Sequence, residues 1–243
     1  MANYDYTVYY RQFHSDTEEH IQRMVKWQRK LIEPHVPTDR SLPVVDIGCG
    51  WGFALRALKE LGFHDIVGIE SSLEQAEAAR KAGFNVATPS ETSQWLRDNQ
   101  QRFGFALLMD VLEHIPVDAQ IDLSSSIYSS LRPGGRVFVS VPNANAILSS
   151  RWRYNDYTHF SSFTEHSLNF VLKNGGFNKI EINAEKGLGL IPKRLWQAQE
   201  RNALRRWIVR WCWLQVFKAE LPWERLENIG FELNLKAVAF KDD

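Results

Sequence analysis

The chain has 243 residues, 44% of them hydrophobic and 24% charged, a composition that fits one packed α/β domain and excludes collagen-like and disordered chains. Its 29 basic residues balance 29 acidic ones, so no global field draws the molecule onto nucleic acid or an anionic membrane, and any such contact has to be local. Cys49 and Cys212 are too few for a disulfide framework and too far apart for a CxxC pair, which fits a reducing compartment. No basic start leads into an apolar run, and nowhere do about 18 apolar residues follow one another, so a cytoplasmic chain without a membrane span is expected.

Residues 16–33 read as a helix: Ser15 or Asp16 can cap it, Glu18 and Glu19 suit its first turn, and Met24, Trp27 and Leu31 recur at helical spacing. Pro34 and Pro37 stop it, so residues 1–37 form an N-terminal helical cap. Short apolar strands at 43–47, 65–69, 84–87, 104–109 and 135–141 then alternate with amphipathic helices at 52–61, 73–82, 91–99 and 117–131. That order predicts a mostly parallel sheet wound with helices on both faces. Residues 143–165 interrupt it with a polar, aromatic stretch that reads as an insertion over a site. A helix at 165–174 closed by Gly175 and Gly176, a strand at 177–184, a basic Trp-rich helix at 193–218 and a strand at 231–240 complete a single domain over 1–243.

The first strand ends in Asp46-Ile47-Gly48-Cys49-Gly50-Trp51-Gly52, a glycine-rich turn before a helix. Glycine lets backbone approach a ligand, and a helix N-terminus offers unpaired N–H groups to an anion, although tight turns use glycine for their own sake as well. Twenty residues beyond Gly50, the next strand ends at Glu70 and Ser71, where a carboxylate can take both ribose hydroxyls of an adenosine. Phe53 stands where a GxGxxG fingerprint needs its third glycine, which argues against NAD.

VVDIGCGWG, the acidic end of VGIE, LLMDVLEHIP and LRPGGRVFVSVPN resemble, in order, the successive motifs of class I S-adenosylmethionine (SAM)-dependent methyltransferases over residues 43–143. The resemblance implies a Rossmann-like, seven-stranded sheet with its last strand antiparallel, and SAM as cofactor. It gives Asp46, Gly48, Gly50 and Gly52 to the amino-acid part of SAM, Glu70 to the ribose, and Asp110 to the sulfonium side, where a helix cap is the competing reading. Relatives place an acidic residue after strand three for the adenine; here Ser90 or Glu91 must substitute.

Transfer to a hydroxyl needs alignment and a base. His159, three residues beyond Asp156, which can orient it, is the preferred base, against a plain role in a lid; His114 is the runner-up, against a structural contact at a helix start. DYTHFSSFTEHSLNFVLKNGGF resembles, more loosely, methyltransferases of bacterial polysaccharide and O-antigen systems. That implies a sugar or glycan acceptor, phosphate-bearing or lipid-linked, on which Arg151, Trp152, Arg153, Tyr154 and Tyr157 can stack and pair, unless they only pack the lid. Two alternatives stand beside it: O- or N-methylation of a small aromatic or quinone-like metabolite, and SAM binding without turnover. Val141-Pro142-Asn143 lacks the NPPY-type run that holds a flipped base, so no nucleic-acid partner is expected. Asp110, Glu113, His114, Asp156 and His159 are of metal-ligating type, yet no ligand spacing stands out, and no metal is predicted.

Between Lys193 and Lys218, Lys193, Arg194, Arg201, Arg205, Arg206, Arg210 and Lys218 face one acid, Glu200. Leu204, Trp207, Ile208, Trp211 and Leu214 recur at helical spacing. The helix reads either as sheet packing with a basic rim or as a peripheral contact with the inner face of an anionic membrane.

Overall fold

The computed structural model describes residues 6–183, 198–223 and 229–242. Two helices, α1 (Tyr6–Phe13) and α2 (Glu18–Ile32), precede an alternation of β1 (Val44–Ile47), α3 (Phe53–Glu60), β2 (Ile66–Ile69), α4 (Leu73–Lys81), β3 (Asn85–Ala87), α5 (Thr92–Asp98), β4 (Phe103–Met109), α6 (Val117–Ser130) and β5 (Leu131–Pro142). Then follow α7 (Ser149–Asn155), α8 (Glu165–Asn174), β6 (Lys179–Asn183), α9 (Ala198–Glu220) and β7 (Asn234–Phe240). The strands form one seven-stranded sheet in the order β3-β2-β1-β4-β5-β7-β6. β1 to β5 pair in parallel, and β7 runs antiparallel between β5 and β6. This is the Rossmann-like arrangement that the strand and helix pattern predicts.

β4 is an apolar run and β1 one interrupted by Asp46, and both are buried along their whole length, as strands covered on both faces are. Alternation along each strand sends successive side chains to opposite faces. Val45, Ala106, Leu108 and Val139 meet Leu123 and Ile127 of α6 and Leu168 and Leu172 of α8. Val44, Phe105, Leu107 and Phe138 meet Val25 and Ile32 of α2 and Ala57 and Leu58 of α3. The chain leaves β1 for β2 on one side and reaches β4 on the other, so a crevice opens at the carboxyl end of β1.

Several local expectations are corrected. α1 was not foreseen as a helix, although Tyr6, Tyr9, Tyr10 and Phe13 recur at helical spacing; it holds to the body through Tyr10 and His14, whose rings contact Trp51 and Phe53. α2 is capped by Thr17 rather than Ser15 or Asp16, and the Ser15 hydroxyl is spent on the Thr17 hydroxyl at 3.0 Å. β5 begins at Leu131, four residues before the predicted 135, because Leu131 already pairs with Phe103 across an irregularity in the ladder. The insertion contains a short helix, α7. Lys193 and Arg194 lie outside the described residues, and α9 is described from Ala198.

Asn143 fastens the end of β5. Its side-chain amide donates to the carbonyls of Gly230 and Glu232 at 2.8 Å each, its backbone N–H donates to Leu233 O at 2.8 Å, and its Oδ1 accepts from the Asn145 N–H at 2.9 Å. The residue is 1% exposed, so truncation leaves buried carbonyls without donors. Asn143→Ala is therefore expected to lower unfolding free energy by about 1–3 kcal/mol, read as an earlier midpoint in urea with an unchanged slope.

Candidate active site

At the end of β1, Gly48, Gly50 and Gly52 all take left-handed backbone, with φ of 74°, 52° and 82°. The turn is crowded as well: a Cβ on Gly48 would meet Val111 Cγ2 at 2.4 Å, and one on Gly50 would meet the Tyr10 hydroxyl at 2.9 Å and Gln75 Oε1 at 3.2 Å. The Gly48 and Cys49 N–H groups donate to Ile69 O, which ties the turn to β2. Glu70 completes the tie. Its Oε2 accepts from the Gly50 N–H at 2.9 Å and its Oε1 from the Ser72 N–H at 2.8 Å, with the Ser71 hydroxyl at 3.5 Å.

Asp46 points into this region from β1. It is 2% exposed, its Oδ2 has no hydrogen-bond partner, and burial, reinforced by the charge on Glu70, pushes its carboxyl up to about 7. Tyr10 of α1 lies against the turn, its ring 5.3 Å from that of Trp51. Its phenol is held protonated mainly by burial. In the sequence Tyr10 was legible only as part of the N-terminal cap over residues 1–37. Ser90 and Glu91 both fall in the exposed turn between β3 and α5, where Glu91 takes the N-cap position without making a side-chain cap bond.

A second cluster forms where β4 ends. Asp110 is in left-handed backbone, φ 55°, and its N–H donates to Ser140 O. Its Oδ1 accepts from Asn234 at 2.8 Å and from the Ser140 hydroxyl at 3.2 Å. The side chain reaches solvent from a concave setting, and the protein crowding its other sides pushes the carboxyl up to about 6 against those two hydrogen bonds. Asp110 is thus held by neighbouring strands and does not act as a helix cap.

Glu113, in the turn Leu112–His114, is 1% exposed with Oε2 unpartnered, and burial and then the charge of Asp110 hold its carboxyl well above the usual range. The backbone of Phe160 donates to Glu113 O at 2.7 Å, and the Gln120 amide bridges the carbonyls of Leu112 and Ile115 to the Ser161 hydroxyl. The insertion is thereby stitched onto the turn after β4, and this brings His159 to His114, ring centroids 4.6 Å apart. Ligand-type atoms of Glu113, His114 and His159 all lie within 4.8 Å of one another, a spacing a metal ion could bridge.

The expected pairing of Asp156 with His159 is met at ion-pair distance, without a side-chain hydrogen bond. Asp156 turns its Oδ1 back onto its own loop, accepting from the Thr158 N–H at 2.8 Å and the Thr158 hydroxyl at 2.7 Å, while its Oδ2 stays 3.8 Å from His159 Nε2, beyond hydrogen-bond length. The Thr158 hydroxyl in turn lies 2.8 Å from His114 Nδ1. Thr158 was missed because nothing in its sequence context separates a relay from an ordinary loop hydroxyl. Burial depresses both imidazoles: His114 to about 4, with His159 beside it adding to the effect, and His159 more moderately.

Of the five residues expected to meet an acceptor, Trp152 is tied to the site, its indole N–H donating to Asn234 Oδ1 at 3.2 Å. Arg153 lies over the Tyr154 ring, 5.1 Å from its centroid. Arg151 is exposed, and Tyr154 and Tyr157 are 76% and 85% exposed.

A family model described as "Methyltransferase domain" matches residues 13–182. The ubiquinone biosynthesis O-methyltransferase of Chelativorans sp. (strain BNC1) is 35% identical over 108 residues, which cover 42% of this chain and 41% of that protein. The chain thus matches less than half the length of this curated relative. Among solved structures, a SAM-dependent methyltransferase from Archaeoglobus fulgidus superposes with a TM-score of 0.69 at 18% identity, covering 98% of this chain and 100% of that one. A Haemonchus contortus phosphoethanolamine N-methyltransferase 2 in complex with SAM gives 0.58 at 18%, covering 90% and 53%. The chain belongs to the methyltransferase-domain family. The unpartnered Asp46 oxygen and the glycine turn fit the ammonium and main chain of SAM's methionine part, and Glu70, each of whose oxygens has a second lone pair, fits the ribose. Glu70→Ala is expected to weaken SAM binding about ten- to a hundredfold, by titration calorimetry.

Proposed function

We propose that the chain is an O-methyltransferase for a phenolic hydroxyl of a quinone-like acceptor, with the acceptor bound at Glu113, His114 and His159. The observation that carries the reading is the convergence of these three groups beside Asp110, at the strand end next to the glycine turn. The curated relative supports the acceptor class. The sugar or glycan acceptor has no counterpart in the relatives reported above, and Tyr154 and Tyr157 are displayed to solvent rather than gathered around Asp110.

SAM, held by Asp46, the glycine turn and Glu70, with Ser71 beside it and Ser90 or Glu91 toward the adenine, supplies a methyl group on a sulfonium. The protein's task is to align the hydroxyl and remove its proton. The Thr158 hydroxyl has one proton and donates it to Asp156, so Thr158 accepts from His114 Nδ1–H. The basic lone pair of His114 is then at Nε2. Burial keeps that imidazole neutral and ready to accept a proton. The base role thus moves from His159 to His114, with Asp156 and Thr158 as positioning residues, and Trp152 and Asp110 bounding the acceptor.

His114→Ala is expected to cut methyl transfer by about 10² to 10⁴ while SAM affinity stays near that of the wild type, and Thr158→Val to lower kcat with KM little changed. If His159→Ala is the variant that collapses, the base is His159. Because the active form of His114 is the deprotonated one and its pKa is depressed to about 4, kcat read at saturating SAM, where the titration of Asp46 near 7 no longer limits donor binding, should hold its value as pH falls to about 5 and decline only below that. A limb near 6.5 contradicts the assignment.

Radiolabelled transfer from SAM onto catechols and hydroquinones, with sugars and sugar phosphates alongside, tests the acceptor class, and activity confined to the sugars overturns it. A metal-assisted version is favoured by the 4.8 Å convergence and the unpartnered Glu113 oxygen. Dialysis against EDTA decides between the two: retained activity leaves the proton to His114, whereas loss restored by a divalent ion makes the three residues ligands.

A further inference from the structure

α9 is apolar on two opposite faces. One face, built from Ala203, Trp207, Trp213, Leu214, Phe217 and, just beyond the helix, Leu221, is half-buried. Trp213 donates its indole N–H to Asn145 O at 3.0 Å, and the Phe217 ring lies 5.3 Å from that of Phe231, so this face fastens the helix to the loop leaving β5 and to the approach to β7. At 100° per residue, Ile208, Val209, Cys212 and Val216 fall on the other side. They are exposed, Ile208, Val209 and Val216 by 46%, 52% and 46%, and Trp211 on the shoulder by 46%. Ile208 and Trp211, expected on the packing face, stand in solvent because Trp213 and Phe217 make the contacts instead.

A helix that leaves a second group of apolar side chains in water gains stability if something covers them. The charges on it indicate what that is. Arg205 lies within the outward stripe and Arg206 is 100° further round, on the flank of the packing face, both exposed, and between Asn202 and Glu220 four basic side chains stand against one acid in a chain whose total charge is zero. Exposed Trp, Val and Ile between arginines is the surface of an interfacial helix, its rings and methyls entering the headgroup boundary while guanidinium groups meet lipid phosphates. A second copy of the chain would bring arginine against arginine in the same stripe. No described helix is long and apolar enough to cross a membrane.

We infer that α9 docks this protein on an anionic membrane surface through Ile208, Val209, Trp211 and Val216, with Arg205 and Arg206 supplying the attraction. The same helix is bolted to the loop behind β5, further along which His159 stands.

Sedimentation of the full chain with vesicles tests this, using phosphatidylcholine alone and phosphatidylcholine mixed with phosphatidylglycerol, without acceptor or SAM. Binding should be at least about tenfold tighter on the anionic vesicles and fall away as salt rises. Arg205→Glu with Arg206→Glu, and separately Val209→Ser with Val216→Ser, should each lose about tenfold of it while thermal melting and SAM binding stay unchanged. Equal binding to both vesicles, binding that survives these variants, or no binding at all overturns the inference. So does a dimer by light scattering that the Val209→Ser and Val216→Ser chain no longer forms, since a second copy would then be the cover. The vesicle readout needs no methyl transfer, so a failure of the acceptor assignment leaves it intact.

Discussion

The contact on which the site depends is the acceptance by Glu70, at the tip of β2, of the Gly50 N–H in the turn after β1. Three residues in left-handed backbone within five positions are expensive to order, since glycine gives up more freedom on folding than any other residue. A charged acceptor contributes roughly twice what a neutral one does, and here it is shared with Ser72 at the start of α4. One carboxylate thus sets the direction in which β1 hands over to α3 and the start of α4. Tyr10 and Gln75 then pack to within the radius of a methyl group around Gly50.

Two buried acids lie close to this frame, and each costs stability when ionised. Asp46 and Glu113 both carry an oxygen with no donor, and both are shifted toward the protonated form by loss of water. A hydrophobic pair of similar volume would pack there at less expense. Their retention at strand ends, where apolar burial elsewhere is nearly complete, marks where the fold gives up stability for chemistry, one acid facing the donor side and one facing the acceptor side.

The sheet was legible because its signals are local. Phe103 to Met109 is a continuous apolar run and Val44 to Ile47 one broken only by Asp46, both with turn residues at their ends, and Glu70 stands at the tip of β2, twenty residues beyond Gly50. What escaped was set by contacts distant in sequence. Asp156 stands three residues from His159, and proximity in sequence suggested their pair, which forms at ion-pair distance; the Asx-type turn gives its other oxygen to Thr158, whose partner His114 is 44 residues away. The outward placement of Ile208 and Trp211 was hidden for a similar reason: helical spacing tells which residues share a face, but which of two apolar faces meets the body depends on Asn145 and Phe231. The acceptor class was the least legible, because rings and guanidinium groups suit a pyranose and a quinol alike.

Asp110 holds a backbone conformation that a non-glycine residue adopts at a cost of about 1 kcal/mol or more, and it is kept there by Ser140 from β5 and Asn234 from β7. Asn234 also receives Trp152 from the insertion. On a ribosome, where residues emerge at about 5–20 per second, the glycine turn and Glu70 can be in place while most of the chain is still unmade. The acceptor half cannot be, since its central acid waits for a strand that ends at Phe240. The glycine turn and Glu70 draw only on β1 and β2, whereas the backbone of Asp110 is fixed only once β7 has paired with β5.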